Sequence, residues 1–197
     1  MRERELQAGS LSRRSAVLGA ALTIAPGLAT RTRAGDAAAT PDPTEMRPQV
    51  GDHFVLLETD KPNAPVRVED LELGGPQVQA YPASPQGIVR DGSRLNLVLL
   101  SRVGDDGLSD ETRARSADGV VAYSGVCTHQ GCPVNMWEAQ KKAFVCSCHQ
   151  STYDPRQDAT ILFGPAPRPL PALPLKSENG VLLVAGDFTS RVGPTKS

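Results

Sequence analysis

All four cysteines of this chain lie in two short clusters that also contain two of its three histidines. The first cluster reads C-T-H-Q-G-C over residues 127–132, and the second reads C-S-C-H-Q-S-T-Y over residues 146–153. Each cluster supplies a thiolate and an imidazole, and each has one cysteine more than that pair needs. The chain therefore has to fold so that two loops with related ligands face one another.

This ligand set suits a cluster of two irons and two sulfides, in which thiolates hold one iron and imidazoles hold the other. Structural zinc also binds two cysteines and two histidines, so it is the alternative. Zinc ligands usually come as pairs about two to four residues apart, with the second pair farther along the chain. Here each half mixes a thiolate with an imidazole and has a spare thiol, which favours the two-iron cluster and leaves structural zinc as a remote alternative.

At these residues the sequence resembles the Rieske iron–sulfur family, whose pattern C-T-H-x-G-C followed by C-x-C-H-x-S is matched at every fixed position. The resemblance implies one 2Fe-2S cluster with four ligands: Cys127 and Cys146 on the buried iron, His129 and His149 on the outer iron. It also implies a disulfide between Cys132 and Cys148. That disulfide is typical of the high-potential members, such as the Rieske subunits of quinol-oxidising cytochrome bc complexes.

Two hydroxyl side chains extend the resemblance. Ser151 and Tyr153 fall where the quinol-oxidising members carry hydroxyls that bond to a cluster sulfide and to a ligating cysteine sulfur. Such hydrogen bonds stabilise the reduced cluster and raise its potential. Farther on, Gly164-Pro165-Ala166-Pro167 is similar to the proline loop that covers the cluster in the family. We therefore expect Ser151, Tyr153, Gly164 and Pro165 to contact the cofactor without ligating it.

The composition predicts a fold of short strands. Aromatic residues make up only 4% of the chain, whereas there are 18 glycines and 17 prolines. This mixture favours short strands joined by turns over a helical bundle. The resemblance, firm from about Gly119 to Leu175, implies an all-β Rieske fold of antiparallel β-sheets. We place this domain at residues 51–192, with a small cluster-binding subdomain at about 120–168. A tail follows at residues 193–197, and the chain is expected to be loose from Arg191 onward.

Local patterns place the elements within this domain. Apolar runs predict strands over residues 53–58, 66–71, 78–81, 95–100, 120–124, 143–146 and 181–185. Glu178-Asn179-Gly180 predicts a tight turn, and Ser109 predicts the start of a short helix that ends near Gly119. We expect Trp137 to pack beneath the two loops. His53 is far in sequence from both clusters, so we expect a surface side chain there and not a ligand.

The first 34 residues resemble a bacterial twin-arginine export signal. Arg13-Arg14 precede an apolar run from Ala16 to Ala29 and a small-residue cleavage site at Ala34. A cluster assembled in the cytoplasm has to be exported inside a folded protein, which this route carries, and a disulfide persists outside the cytoplasm. We therefore expect the domain in the bacterial periplasm.

Cleavage of this signal and its retention as an anchor both stay open. Its apolar run, about fourteen residues, is shorter than the roughly twenty that a spanning helix needs. The Rieske subunits of cytochrome bc complexes nevertheless keep an uncleaved helix here, so the domain is expected either soluble or at the outer face of the inner membrane. Residues 35–50 are rich in alanine, threonine, proline and aspartate, which predicts a flexible linker.

The histidine ligands indicate the chemistry. A neutral imidazole adds no negative charge and can present its outer nitrogen to solvent, so reduction can be coupled to uptake of a proton. His129 and His149 are therefore the predicted catalytic residues of a chain that takes an electron and a proton from quinol. The expected partners are a cytochrome b-type quinol-oxidising subunit and a c-type cytochrome. The net charge of −1 gives no indication of a nucleic-acid partner.

Two residues depart from the quinol-oxidising pattern. Gln130 and Gln150 stand where those subunits usually have leucine and glycine. A polar loop tip fits poorly into an apolar quinol pocket. The alternative is the small Rieske subunit of a periplasmic molybdenum oxidase of the arsenite oxidase kind, with a molybdopterin catalytic subunit as its partner.

Overall fold

Two antiparallel β-sheets form the domain. The structure, a computed structural model, describes residues 41–195. In chain order the strands are β1 (His53–Leu56), β2 (Val78–Ala83), β3 (Val98–Arg102), β4 (Val120–Ser124), β5 (Val134–Glu138), β6 (Ala143–Cys146), β7 (Thr152–Asp154), β8 (Thr160–Phe163), β9 (Leu175–Glu178) and β10 (Val181–Val184). The predicted all-β architecture is confirmed. The predicted export signal lies outside the described residues.

The larger sheet has six strands in the order β4-β3-β2-β1-β10-β9, and the smaller has four in the order β5-β6-β7-β8. The smaller sheet carries the second cysteine–histidine cluster. Helical structure in the described range is short: α1 (Asp110–Arg113) and two 3₁₀ turns, Val68–Asp70 and Arg94–Asn96. No helix of residues 41–195 has both the length and the apolar character needed to cross a membrane.

Strands β3 and β4 are buried on both faces. Val98 and Leu100 belong to the core inside the larger sheet, whereas Leu99 between them packs with Phe144 and Tyr153 of the smaller sheet. Successive side chains of a strand point to opposite faces, so one strand can contribute to two cores. The smaller sheet is thereby packed on the larger one through a continuous apolar layer.

Several local predictions are confirmed. The strands over 120–124 and 143–146 match β4 and β6 residue for residue, and Ser109 caps α1 by accepting a hydrogen bond from the Thr112 N–H at 3.2 Å. That helix ends at Arg113, earlier than predicted. The turn at Glu178-Asn179-Gly180 connects β9 to β10, with φ of +52° at Asn179 and +80° at Gly180. Positive φ at both central residues is the geometry of a tight hairpin turn.

The predicted strand over residues 66–71 is wrong. Val66 does bond to both Phe54 and Leu182 through its backbone. The Asp70 carboxylate then accepts a hydrogen bond from the Arg67 N–H at 2.8 Å, which closes a turn over Val68–Asp70. A similar cap explains why β3 starts later than predicted: Ser93 accepts from the Leu95 N–H, so Arg94–Asn96 form a 3₁₀ turn.

The chain before β1 is fastened to the domain. Arg47 donates to the Leu95 carbonyl at 2.9 Å, and the Asn96 amide donates to the Met46 carbonyl at 2.8 Å. Arg90 donates to the Pro43 carbonyl and pairs with Asp52. In its described part, residues 41–50, the predicted linker is therefore held by hydrogen bonds over most of its length.

The prediction of a loose tail from Arg191 is wrong within the described range. Val192 is only 4% exposed, and Arg168 donates to the carbonyls of Arg191 and Gly193 at 2.6 and 2.5 Å. At the start of this segment, Ala172 and Thr189 exchange two hydrogen bonds. We call residues 189–195 the C-terminal strap.

The buried ion pair between Arg90 and Asp52 gives a test of stability. Their side chains are 7% and 1% exposed, so Arg90→Met would leave a buried carboxylate without its cation. We expect a loss of about 3–5 kcal/mol in the free energy of unfolding, measured by chemical denaturation. The control is Lys176→Met, which breaks an exposed pair with Glu178 and should cost at most about 1 kcal/mol. Equal losses in the two variants would contradict the assignment.

Candidate metal centre

Each cysteine–histidine cluster forms a loop that is closed by its own backbone. In the first ligand loop, residues 127–132, the Cys127 N–H donates to the Cys132 carbonyl at 2.8 Å and the Gly131 N–H donates back to Cys127 at 3.0 Å. In the second ligand loop, residues 146–150, Cys146 accepts from the Gln150 N–H at 3.0 Å. β4 leads into the first loop and β6 into the second. The two loops are thus held by similar local bonds.

A disulfide joins the two loops. Cys132 and Cys148 are bonded, with their Cα atoms 6.3 Å apart. The expected disulfide is therefore present. Cys127 and Cys146, the predicted iron ligands, are free thiols that are each 1% exposed.

The two histidines lie together near the surface. The ring centroids of His129 and His149 are 4.8 Å apart, with the planes at 80°. His149 is exposed and His129 is half-buried. His129 Nδ1 is buried and has no hydrogen-bond partner in the part of the chain that the structure describes. A buried ring nitrogen without a partner is costly, so this atom is suited to bind a metal.

The buried thiols also fit a metal cluster. Burial raises the pKa of the Cys146 thiol, and the neighbouring Cys127 thiol acts in the same direction. Two thiolates at this depth need positive charge beside them, which iron would supply. Within residues 41–195, no three His, Cys, Asp or Glu side chains are grouped to hold a single metal ion. A two-iron cluster does not require such a group, because each iron takes only two protein ligands.

Tyr153 lies against the first thiol. Its hydroxyl is 3.2 Å from Cys127 Sγ and the residue is fully buried. Burial raises the pKa of Tyr153 far above its ordinary value, so the hydroxyl keeps its proton and can donate it. A thiolate bound to iron has no proton of its own. The hydrogen bond would then run from Tyr153 to the Cys127 sulfur.

Ser151 is fully buried beneath the proline loop, residues 164–167. Its Oγ accepts a hydrogen bond from the Ala166 N–H at 3.2 Å, which leaves the hydroxyl proton without a side-chain or backbone acceptor among the described residues. Gly164 permits this close approach, since a Cβ there would lie 2.6 Å from Ser151 Cα. Pro165 is exposed beside it. The Ser151 proton is thus available to a bound group.

The structure brings the predicted ligands, the disulfide, both hydroxyls and the proline loop into one region. His53 lies elsewhere, in β1, where it is half-buried and burial lowers its pKa. Trp137 is half-buried in β5 and packs against Phe144. Sequence reasoning missed two residues beside the site: Thr128, whose hydroxyl lies 3.4 Å from that of Tyr153, and Arg168, whose carbonyl accepts a hydrogen bond from Thr128 at 2.7 Å. Thr128 stands inside the cysteine–histidine pattern and could have been found there, whereas no local signal points to Arg168.

Comparisons with known proteins agree with this site. A model of the Rieske [2Fe-2S] domain matches residues 88–174. The Rieske iron–sulfur subunit of the cytochrome bc1 complex of Streptomyces lividans is 33% identical over 159 residues, which cover 77% of this chain and 91% of that subunit. The corresponding subunit of Streptomyces coelicolor is also 33% identical, but only 44% of its length is covered.

A protein of Haloferax mediterranei, named as a candidate Rieske subunit of a respiratory nitrate reductase, is 36% identical over 65% of this chain and 56% of its own length. Among solved structures, the plasma membrane Rieske protein of Synechocystis has a TM-score of 0.41 at 24% identity, over 61% of this chain and 95% of that one.

Two buried thiols, two surface imidazoles and a disulfide between their loops define an iron–sulfur protein of the Rieske type. The chain belongs to the Rieske iron–sulfur family, and its cofactor is a 2Fe-2S cluster. It is an electron-transfer protein with the Rieske fold, and its relatives are subunits of larger redox complexes.

The assignment of Cys127 and Cys146 as iron ligands and of Cys132 and Cys148 as a disulfide can be tested by substitution. Cys127→Ser should abolish the cluster, because the described chain offers no substitute for a thiolate there. The double variant Cys132→Ser/Cys148→Ser should keep some cluster, since these residues only tie the loops, and should be less stable by about 3 kcal/mol, the value typical of a disulfide that closes a loop of about 15 residues. Iron and acid-labile sulfide per chain measure the first effect, and thermal melting of the oxidised protein measures the second. Complete loss of iron in both variants would contradict the assignment.

The two hydroxyls should each raise the midpoint potential. Removing a hydrogen bond to a charged group costs about 1.5–3 kcal/mol. If about half of this cost is specific to the reduced cluster, the potential falls by on the order of 60 mV, because about 59 mV corresponds to a tenfold change for one electron. Redox titration of Ser151→Ala and Tyr153→Phe measures the shift.

Thermal melting separates these redox roles from packing. Ser151→Ala should also lower stability, because the Ala166 N–H loses its acceptor. Tyr153→Phe should shift the potential with a smaller loss of stability, because phenylalanine keeps the packing of the buried ring. Stability losses in both variants at an unchanged potential would show that the hydroxyls only support the loops.

Proposed function

We propose that this chain is the Rieske subunit that takes an electron and a proton from quinol and passes the electron to a c-type cytochrome. The observation that carries the proposal is the pair of imidazoles near the surface above two buried thiols. His149 is exposed and its ring lies 4.8 Å from that of His129, so both can be approached from one side. A donor that gives up an electron and a proton together requires such an exposed, protonatable ligand.

The residues divide the work. Cys127 and Cys146 would hold the inner iron, and His129 and His149 the outer one. The cluster, when bound, accepts one electron at a time. His149 is exposed and can hold a proton at the ring nitrogen that would not bind iron, while Tyr153 and Ser151 would donate hydrogen bonds that favour the reduced state. The disulfide keeps the two loops opposed. The relatives named as cytochrome bc1 subunits support a cytochrome b-type subunit and a c-type cytochrome as partners.

A second candidate is a different respiratory or periplasmic complex. Gln130 and Gln150 are both exposed at the loop tips, and neither side chain makes a hydrogen bond within the described range. A polar tip favours a polar docking surface over an apolar quinol pocket. The relative named as a candidate nitrate reductase subunit supports an assignment outside cytochrome bc1. The partner would then be a molybdopterin catalytic subunit, as in the arsenite oxidase kind.

We place the domain outside the cytoplasm, in the periplasm or at the outer face of the inner membrane. The support is the Arg13-Arg14 pair with its following apolar run, together with the Cys132–Cys148 disulfide. Cell fractionation with an antibody against the domain tests this location, and recovery of the cluster-loaded protein from the cytoplasm alone would overturn it.

Purification of the native complex tests the partner. An affinity tag on this chain should recover b-type and c-type haem together with an activity that transfers electrons from quinol to cytochrome c. His149→Ala should remove that activity, whereas Lys176→Met, far along the chain from the ligands, should not. Recovery of molybdenum and a molybdopterin subunit without b-type haem would establish the second candidate and reject the first.

A further inference from the structure

Arg168 joins the C-terminal strap to the metal centre. This residue follows the proline loop directly. Its guanidinium donates to the Arg191 carbonyl at 2.6 Å, to the Gly193 carbonyl at 2.5 Å and to Ser190 Oγ at 3.4 Å. Two backbone carbonyls and a hydroxyl hold the side chain, so the position of Arg168 depends on the strap.

The backbone of the same residue reaches the first ligand loop. Thr128 Oγ1 donates to the Arg168 carbonyl at 2.7 Å, and Thr128 is fully buried. Its only hydroxyl proton is used in this bond. Thr128 follows Cys127 in sequence, so a displacement of the Thr128 backbone is passed to Cys127 through the shared peptide bond.

Tyr153 contacts both Thr128 and the Cys127 thiol. Its hydroxyl lies 3.4 Å from Thr128 Oγ1 and 3.2 Å from Cys127 Sγ. Because Thr128 has already donated its proton to the Arg168 carbonyl, it does not donate to Tyr153, and the single proton of the Tyr153 hydroxyl is directed to the Cys127 sulfur, the shorter of the two contacts. The tyrosine belongs to β7, whereas Cys127 and Thr128 belong to the loop after β4. The length of the bond from Tyr153 to the sulfur therefore depends on how the first ligand loop is held against β7.

We propose that Arg168 is a positioning residue: its side chain binds the strap, its carbonyl accepts a hydrogen bond from the Thr128 hydroxyl, and together these bonds fix the Cys127 sulfur at hydrogen-bond distance from Tyr153. This inference rests on the proposed redox role of the cluster. Loss of the arginine side chain frees the strap and loosens Thr128, so the bond from Tyr153 to the sulfur lengthens. The reduced state then loses part of its stabilisation, and the midpoint potential falls.

The strap also contacts the first ligand loop directly. This contact explains how residues 189–195 can influence residues 127–132, which lie far from them in sequence. A Cβ at Gly131 would lie 3.3 Å from Pro194 and 3.2 Å from the Arg94 guanidinium, so the strap runs directly beside this loop. Val192, two residues before Pro194, is also buried, at 4% exposure. Strap and loop therefore share one packed surface.

A double-mutant cycle tests the proposal, with the midpoint potential as the readout. Arg168→Met should lower the potential by less than Tyr153→Phe does, because it can weaken only the bond that the second variant removes. In the Tyr153→Phe background Arg168→Met should cause no further shift. The matched control is Arg191→Met, which removes an equal charge from an exposed strap residue whose side chain makes no hydrogen bond in the described range, and should leave the potential unchanged.

The outcomes separate this proposal from the proposed function. If the wild-type protein shows no Rieske absorption and electron paramagnetic resonance spectrum, the redox role itself fails. If the spectrum is normal, an unchanged potential in Arg168→Met with lower thermal stability shows a purely structural role and overturns the proposal. Equal shifts with and without Tyr153 would show a direct effect of charge and overturn it as well. Should Arg168→Met not fold, Val192→Ala loosens the strap more mildly and has to give a smaller fall that is again absent in the Tyr153→Phe background.

Discussion

Two loops have to be held face to face, with their thiols inside and their imidazoles outside, before a two-iron cluster can bind between them. Each loop is closed by backbone hydrogen bonds, but these bonds do not orient one loop relative to the other. The Cys132–Cys148 disulfide supplies a covalent link between them at the rim. At the base, β6 continues directly into the second loop and pairs with β5, which follows the first. The disulfide at the rim and the pairing of β5 with β6 at the base thus hold the two loops facing one another.

The remainder of the fold gives this arrangement a rigid base. β3 and β4 contribute side chains to both apolar cores, so the sheet that delivers the first loop is not free to move relative to the sheet that delivers the second. Tyr123 shows the same principle at one residue, since its ring packs on Phe144 and its hydroxyl donates to the Pro155 carbonyl at 3.1 Å. Close packing of this kind transmits small displacements, so residues distant from the cluster can influence its potential.

The sequence predicted those parts of the structure that are determined by residues close together in the chain. Ligand chemistry requires particular residue types at a particular spacing, so the site was readable from residues 127–153, and continuous apolar runs marked β4 and β6. β5, β7 and β8 were missed: β7 has only three residues, and β5 and β8 are the edge strands of the smaller sheet, with Met136, Leu162 and Phe163 exposed. The strap and residues 41–50 were missed for another reason. Both segments are held by arginine and asparagine side chains that bond to backbone groups some 20 to 50 residues away in sequence. Such long-range bonds cannot be predicted from local composition.

The hydroxyl donors around the thiols are held in place by contacts with the rest of the protein. Ser151 is held by the Ala166 N–H, and Tyr153 by its buried ring in β7. Donors that are already oriented need not reorganise when the cluster gains an electron, so more of their interaction energy appears as a difference between the two redox states. The same reasoning explains why Gly164 is needed over Ser151, where a side chain would push the proline loop away. Control of the potential therefore lies as much in the backbone that positions these hydroxyls as in the ligands themselves.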